Sequence, residues 1–292
     1  MPLSWPLTKD QIAHYRAEGY VLAASVLAAD DLTKIDCAIE EVVDAALGRD
    51  DHAGLLELEP QSGPGKLAVR RICDPYDRHA NFRAIAGDSR ILDRVESLLG
   101  PDFILQHSKL NMKPAGVGSP VKWHQDLAYY PHTNDDVLAV LIYLDDADEE
   151  NGCLQVMAGA HDKYLNHLAP DGTFAGRLRE TGDVDATIQS LSAPAGSAIF
   201  LHGLLPHSSL PNRSVRSRRT LIFAYRAADA FPLYYGQVTA IDEAGCRPMR
   251  GRPARHARFG GPPPIVPSID GSRSLYDLQA TESAGTADAE PG

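Results

Sequence analysis

The stretch DVLAVLIYLDDADEENGCLQVMAG, residues 136–159, decides the fold class. It begins with a continuous apolar run, which is typical of a strand that is covered on both faces. Asn151 and Gly152 then give a tight-turn signal, and a second strand pattern follows from Cys153. This part of the chain therefore predicts two strands separated by a turn.

Further strand patterns surround this stretch. They are DFILQHSKLNMKP and VKWHQDLAYY upstream and GSAIFLH and RRTLIFAYRAA downstream. Together they predict at least six strands. Between them, residues 158–195 lack a clear strand pattern, and a connection of that length is usually a lid or a binding loop.

The part of the chain before the strands has helical patterns. Residues 8–20 predict a short helix, in which Thr8 and Gln11 have capping-box spacing. Asp30 or Asp31 is expected to cap a longer amphipathic helix. Helices first and strands afterwards predict an α+β chain built around a sheet sandwich or barrel.

The same patterns predict one domain over residues 1–251. Its helices lie mostly in 8–100 and its β core in 101–230. Residues 252–292 are rich in proline and glycine and end in a polar segment. Such a composition buries little apolar surface, so we expect this tail to be largely disordered.

Composition narrows the classes of partner. The chain has 292 residues, is 43% hydrophobic and carries a net charge of −11. Nucleic acids and anionic membranes require a basic face, so we expect neither as a partner.

We see no signal peptide and no apolar run long enough to cross a membrane. The cysteines have no CxxC spacing, which indicates a reduced, cytoplasmic protein; they are Cys37, Cys73, Cys153 and Cys246. The oligomeric state is not predictable.

The triplet His124-Gln125-Asp126 is a candidate metal motif. Side chains at i and i+2 share one face of a strand, so we expect His124 and Asp126 to project together. Two histidines and one carboxylate on one side of an iron leave adjacent positions open for ligands. The alternative is a hydrogen-bonded polar pair at a strand end, because a lone triplet of this kind is common.

A second segment, HGLLPHSSLPNRSVRSRRTLIFAY, strengthens the metal hypothesis. It offers His202 and His207 after an apolar strand, and then several arginines. An arginine grips a carboxylate through two hydrogen bonds, which suits the second carboxylate of a 2-oxo diacid. Taken singly, each arginine also fits a solvated basic turn.

These residues carry a family resemblance. The stretch HQDLAYYPHTNDDVLAVLIYLDDADEENGCLQVMAGAH, followed by HSSLPNRS and an arginine, resembles the phytanoyl-CoA dioxygenase (PhyH) family, which includes ectoine hydroxylase. The resemblance covers roughly residues 10–227. It implies a double-stranded β-helix, a distorted and cupin-like jelly roll, with flanking N-terminal helices. It also implies Fe(II) as the metal, with 2-oxoglutarate and O2 as cosubstrates.

The resemblance assigns roles to individual residues. It implies His124, Asp126 and His207 as iron ligands, with His202 as the alternative to His207. Arg218, eleven residues after His207, matches the group that holds the far carboxylate of 2-oxoglutarate. Alternation along the strand leaves Arg219 open as the competitor. Other residues implied near the cosubstrate are Ser209, His107, Lys109 and Arg71.

The implied reaction is hydroxylation of an unactivated C–H bond in a small molecule, with 2-oxoglutarate and O2 converted to succinate and CO2. In relatives that halogenate, a small residue replaces the carboxylate, whereas Asp126 is present here. Desaturation or ring closure stays open. The alternatives are a cupin-like dioxygenase that does not use 2-oxoglutarate, and a metabolite-binding protein without catalysis.

Overall fold

A computed structural model describes residues 4–48, 54–60, 68–179, 187–233, 247–263 and 279. Helices precede most of the strands, as the order of patterns predicts. Within the described residues the α-helices are α1 Lys9–Glu18, α2 Ala29–Leu47, α3 Pro75–Arg78, α4 Ala80–Ala86 and α5 Ser89–Leu99.

The strands form two antiparallel sheets. Their bounds are β1 Tyr20–Ala23, β2 Leu56–Leu58, β3 Val69–Cys73, β4 Phe103–Lys113, β5 Val121–His124, β6 Val137–Tyr143, β7 Leu154–Ala158, β8 Thr187–Leu191, β9 Ala198–His202, β10 His207–Ser209, β11 Arg218–Ala227 and β12 Arg247–Arg250. The wide sheet has the order β1-β9-β6-β11-β4-β3-β2, with β12 also on β4. The narrow sheet has the order β5-β10-β7-β8. The mixed helix and sheet architecture is therefore confirmed.

The wide sheet is covered on both faces. One face packs against the helices in a core that includes Ile35, Phe82, Phe103 and Phe223. The other face packs against the narrow sheet through a second apolar cluster. Every residue of β6 is buried, which explains why its sequence is continuously apolar instead of alternating.

The first helix begins after Thr8, as its sequence predicts, and it ends at Glu18. The Thr8 side chain accepts from the Gln11 backbone, and the Gln11 side chain accepts from the Thr8 backbone. The predicted cap of the second helix is wrong by two or three residues. The residue at the N-cap is Ala28, and Asp31 instead accepts from the Ala28 backbone N–H at 2.9 Å. An acidic side chain in the first turn therefore binds the free N–H from inside the helix.

Two predictions about strands need correction. The connection over 158–195 contains β8, which completes the narrow sheet beside β7. The predicted strand over 121–130 ends at His124, and Asp126 begins a 3-10 turn, Asp126–Ala128. Alternation along a strand therefore does not bring His124 and Asp126 together, since the turn supplies the carboxylate.

The end of the chain is partly described. Residues 252–263 are held to the body by Arg258, whose guanidinium contacts Asp229 at 2.9 Å and also reaches Asp136. The rest of the predicted disordered tail lies outside the described residues, apart from Gln279. Cys37, Cys73 and Cys153 are free thiols, and Cys246 lies outside the described residues. Among the helices that the structure describes, none is long and apolar enough to cross a membrane.

Candidate metal centre

The pairing of β5 with β10 builds the centre. His207 lies directly opposite His124 in this antiparallel pair, and Asp126 follows in the turn after β5. The two imidazole rings are 4.2 Å apart between centroids, and His124 Nε2 is 3.9 Å from Asp126 Oδ1. One candidate ligand atom from each of the three residues lies within 4.8 Å of the others. Residues 83 positions apart in sequence thus meet because two short strands pair.

Backbone carbonyls orient both imidazoles. His124 Nδ1 is 2.8 Å from the Lys122 oxygen, and His207 Nδ1 is 2.9 Å from the Leu205 oxygen. A carbonyl can only accept, so each Nδ1 carries the proton and donates. The Nε2 lone pairs are then free to bind a metal, which is the outer hydrogen-bonding pattern of metal-bound histidines.

The electrostatics favour the protonation states that a metal needs. Burial lowers the pKa of His124 well below its usual value, and the nearby His207 lowers it further. Burial alone would raise the pKa of Asp126, but His207, Lys109 and His124 together lower it to about 2. A neutral imidazole and an ionised carboxylate are the forms that coordinate a cation. The donor set of two nitrogens and one oxygen fits Fe(II).

His202 does not join this centre. Its ring lies 5.0 Å from the ring of His161, and its Nε2 is 3.9 Å from Asp135 Oδ2. These contacts place it beside the first helix, where the centre of the Tyr15 ring is 6.1 Å from the centre of the His202 ring. The group that meets His124 and Asp126 is His207.

A pocket between the two sheets contains the three residues. Its lining combines charged and polar side chains with apolar ones, among them Leu141, Leu154 and Ile222, as is typical of small-molecule sites. Predicted site residues that line it besides the triad are Arg71, Lys109, Ser209 and Arg218. His107 is not one of the described residues that line it, and its ring lies 5.0 Å from that of Tyr130.

Arg218 lies at one end of the pocket, where it is buried. Its Nε donates to the Gly152 oxygen at 2.9 Å, and its Nη1 donates to the Thr220 hydroxyl at 2.8 Å. The guanidinium carbon is 5.9 Å from the centre of the Tyr143 ring. These contacts fix the arginine fork in one orientation, facing the pocket that also contains Ser209.

Arg219 faces the other side of the same strand. It contacts Asp145 at 2.6 Å and Asp36 at 2.7 Å. Both carboxylates belong to the chain itself, so this arginine has a structural role. The structure therefore separates two neighbours that alternation alone leaves equivalent.

Several pocket residues escape prediction from the sequence. Asn111, Tyr143 and Thr220 line the pocket, and they lie side by side because β4, β11 and β6 pair in register at these positions. Thr220 and Asn111 each had one available signal, since they lie two residues from Arg218 and Lys109 on their strands and so share the face of those predicted residues. Tyr143 depends on strand pairing, which the sequence does not specify.

Gln125 and His167 are also missed. The Gln125 side chain donates to the Lys163 and Leu204 oxygens, at 2.8 and 2.6 Å. The Gln125 backbone N–H, between the two candidate ligands, donates to His167 Nε2 at 3.1 Å. The segment after β7, around residues 163–167, is therefore hydrogen-bonded directly to the metal loop, by which we mean residues 124–126.

A model of the phytanoyl-CoA dioxygenase family, PhyH, matches residues 15–220. A probable alpha-ketoglutarate-dependent hypophosphite dioxygenase from Stutzerimonas stutzeri is 32% identical over 246 residues, which cover 81% of this chain and 86% of that protein. An L-proline trans-4-hydroxylase from Streptomyces griseoviridis is 28% identical, with 80% and 91% covered.

A solved structure extends the similarity to the fold. The crystal structure of EctD from S. alaskensis with bound Fe superimposes with a TM-score of 0.67 at 21% identity. The match covers 89% of this chain and 90% of that one. The two chains therefore share their fold across nearly their whole length.

Proposed function

This chain belongs to the phytanoyl-CoA dioxygenase family, and we propose that His124, Asp126 and His207 hold the Fe(II) of an Fe(II)/2-oxoglutarate-dependent dioxygenase. The observation that carries this proposal is the triad itself, in which one candidate ligand atom of each residue lies within 4.8 Å of the other two. The enzyme uses O2 and 2-oxoglutarate and acts on a small molecule. The specific outcome we propose is hydroxylation of an unactivated C–H bond, which yields succinate and CO2 from the cosubstrate.

The fold we propose is a double-stranded β-helix, with the wide and narrow sheets as its two walls. This assignment is supported by the opposed antiparallel sheets, by the pocket between them and by the likeness to EctD. Such a scaffold places the ligands on rigid strand ends and keeps them in fixed geometry.

We assign Arg218 to the far carboxylate of 2-oxoglutarate. Its fork is held by Gly152 and Thr220, and it shares the pocket with the triad. Ser209, two residues after His207, contributes a hydroxyl from the narrow sheet. A bound diacid then reaches from this end of the pocket toward the metal.

When bound, the iron supplies the activation of O2, and the chain's own residues supply binding, orientation and exclusion of water. The imidazoles are oriented by the Lys122 and Leu205 carbonyls. Gln125 and His167 hold the segment after β7 against the metal loop. This contact helps to keep bulk water out of the pocket.

The proposal extends to cellular context. The free thiols of Cys37, Cys73 and Cys153 support a reduced, cytoplasmic location. The net charge of −11 supports the absence of a nucleic-acid partner.

The test combines binding with turnover. Fe(II) and 2-oxoglutarate are added without O2, and the visible absorption band of their chelate is measured. The band should saturate at about one iron per chain. O2 is then admitted with a panel of small molecules, and succinate is measured together with a mass gain of one oxygen in the product. Metal binding without the 2-oxoglutarate band would favour a cupin-like dioxygenase, and binding of neither would favour a non-catalytic protein.

A further inference from the structure

Lys109 is a cation at the level of the metal. It lines the pocket that contains the triad. In the register of the wide sheet it lies opposite Ile222, whereas Arg218 lies opposite Lys113. Four residues of strand separate the two positions, or roughly 14 Å along the sheet. Lys109 therefore belongs to the other end of the pocket from Arg218.

The contacts of Lys109 within the described residues are not those of a structural lysine. Its Nζ lies 5.8 Å from the centre of the Tyr130 ring. Asp126, Asp74 and Glu57 act on it electrostatically, but no described carboxylate lies within salt-bridge distance of it. By contrast, Lys113 on the same strand donates to the Ser119 and Leu210 oxygens, both at 2.6 Å.

A half-buried ammonium without such contacts loses hydration and gains no ion pair in return. Burial lowers the pKa of Lys109, because desolvation disfavours the charged form. An anion placed next to Nζ would restore the lost interaction. A negative group bound in the pocket would therefore stabilise the charged form of Lys109.

The charges of the loaded site indicate which negative group this is. If Fe(II) and 2-oxoglutarate were bound, Asp126 and one carboxylate of 2-oxoglutarate would balance the charge of the metal. The other carboxylate would balance the charge of Arg218. Arg71 contacts Glu57 at 3.1 Å, and Glu57 also lies 3.4 Å from Arg70. Asp74 acts on Lys109 from beyond salt-bridge distance, so Lys109 would still lack a direct ion pair with the described carboxylates in the loaded site.

We infer that the substrate of this enzyme carries an anionic oxygen group, and that Lys109 binds it beside the metal. This inference rests on the proposed function. The group is a carboxylate, a phosphonate or a phosphinate, since each presents negative oxygens to an ammonium. Lys109 is then a specificity-determining residue for the substrate, in place of the cosubstrate role implied by the family resemblance.

The test measures binding by calorimetry, without O2, to the enzyme loaded with Fe(II) and excess 2-oxoglutarate. The probes are propionate with propionamide, and methylphosphonate with its neutral dimethyl ester. We expect at least one anion to bind at least tenfold more tightly than its neutral analogue. Lys109→Met should abolish this preference and Lys109→Arg should retain it. Lys34→Met removes the same charge from an exposed position of α2 and should change nothing.

The absorption band of the Fe(II)–2-oxoglutarate chelate separates the possible failures. A parent enzyme without the band contradicts the proposed function itself. If the band forms, any of four results overturns the inference about Lys109: the neutral analogues bind as tightly as the anions, no anion binds, the anions bind by displacing 2-oxoglutarate, or Lys109→Met weakens 2-oxoglutarate binding while leaving anion binding unaffected. A normal band in a Lys109→Met protein that has lost the anion preference supports it.

Discussion

The inward and outward faces of the wide sheet use the same residue types for different purposes. On the outward side of β11, Arg219 is held by Asp145 and Asp36. On the inward side, Arg218 donates to the neutral oxygens of Gly152 and Thr220 and faces a pocket. A cation paired with acids on the outward face stabilises the fold, whereas a cation that lines a cavity and is oriented there by hydrogen bonds can bind an anionic ligand. Adjacent positions on one strand thus differ in function because they differ in surroundings.

The largest expected effect contrasts two aspartates. Asp126→Asn removes the negative ligand from the triad, and turnover should fall by more than about 100-fold, since even groups that merely orient metal ligands contribute 10–100-fold. Asp145→Asn weakens the outward pair with Arg219. It should retain turnover and lose about 1–2 kcal/mol of unfolding free energy.

Succinate release and denaturant unfolding measure the two effects. Iron content of the purified variants gives a further check, because Asp126→Asn should also bind less metal. Full turnover by Asp126→Asn would show that the carboxylate is not a ligand. A large loss of turnover in Asp145→Asn would show that the two faces are not independent.

The next effect contrasts the two arginines. Arg218→Met should raise the 2-oxoglutarate concentration needed for half-maximal turnover by roughly 10–100-fold, because a charge-assisted hydrogen bond contributes about 1.5–3 kcal/mol. Arg219→Met should leave that concentration nearly unchanged and lower the unfolding temperature. Steady-state kinetics with varied 2-oxoglutarate, paired with thermal unfolding, compares them. Equal kinetic effects, or the reverse order, would mean that Arg219 holds the cosubstrate.

This contrast also shows what the sequence can predict. Local signals were sufficient to predict the start of the first helix, where Thr8 and Gln11 form the expected capping box. They were also sufficient to predict the buried strand β6. The motif around His124 was visible because its residue types suit a metal. These features depend on neighbours along the chain, which a sequence displays directly.

The remaining features depend on residues far apart in sequence. Arg218 and Arg219 become distinguishable through Asp145 and Asp36, which are 74 and 183 positions from Arg219. Strand β8 lacked a signal because it lies at the edge of the narrow sheet, where Ile188 is 54% exposed. An edge strand exposed in this way does not need the apolar alternation that identifies a strand.

A third contrast concerns two glutamines. Gln125 is fully buried, and its side chain accepts from the Leu165 N–H at 2.7 Å in addition to its two donated hydrogen bonds. Gln125→Met leaves these backbone groups without partners, so we expect a loss of about 2–3 kcal/mol in unfolding free energy. Amide exchange in the segment around Leu165 should also accelerate.

Gln155, half-buried on β7, is the matched control, and Gln155→Met should change neither quantity appreciably. Unchanged exchange in Gln125→Met would contradict the role of Gln125 as the tie to this segment.

The smallest effect contrasts His132 with the histidines of the metal centre. His132 Nδ1 donates to the Tyr130 oxygen at 2.7 Å, while its buried Nε2 has no hydrogen-bond partner in the described part of the chain. Burial lowers the pKa of His132 to about 3, against the opposing effect of the Tyr130 carbonyl and with a contribution from Arg226. The unfolded chain, with an ordinary pKa near 6.5, therefore binds more protons than the folded chain between about pH 6.5 and pH 3. Stability should fall as the pH falls through this window, by at most about 1.4 kcal/mol per pH unit from this group.

His132→Asn keeps a donor for the Tyr130 oxygen and cannot titrate, so its stability should depend less steeply on pH. His14→Asn, at an exposed position, should retain the parent slope. Denaturant unfolding between pH 4 and pH 7 measures all three proteins, and an unchanged slope in His132→Asn would show that this histidine takes up its proton without unfolding the chain.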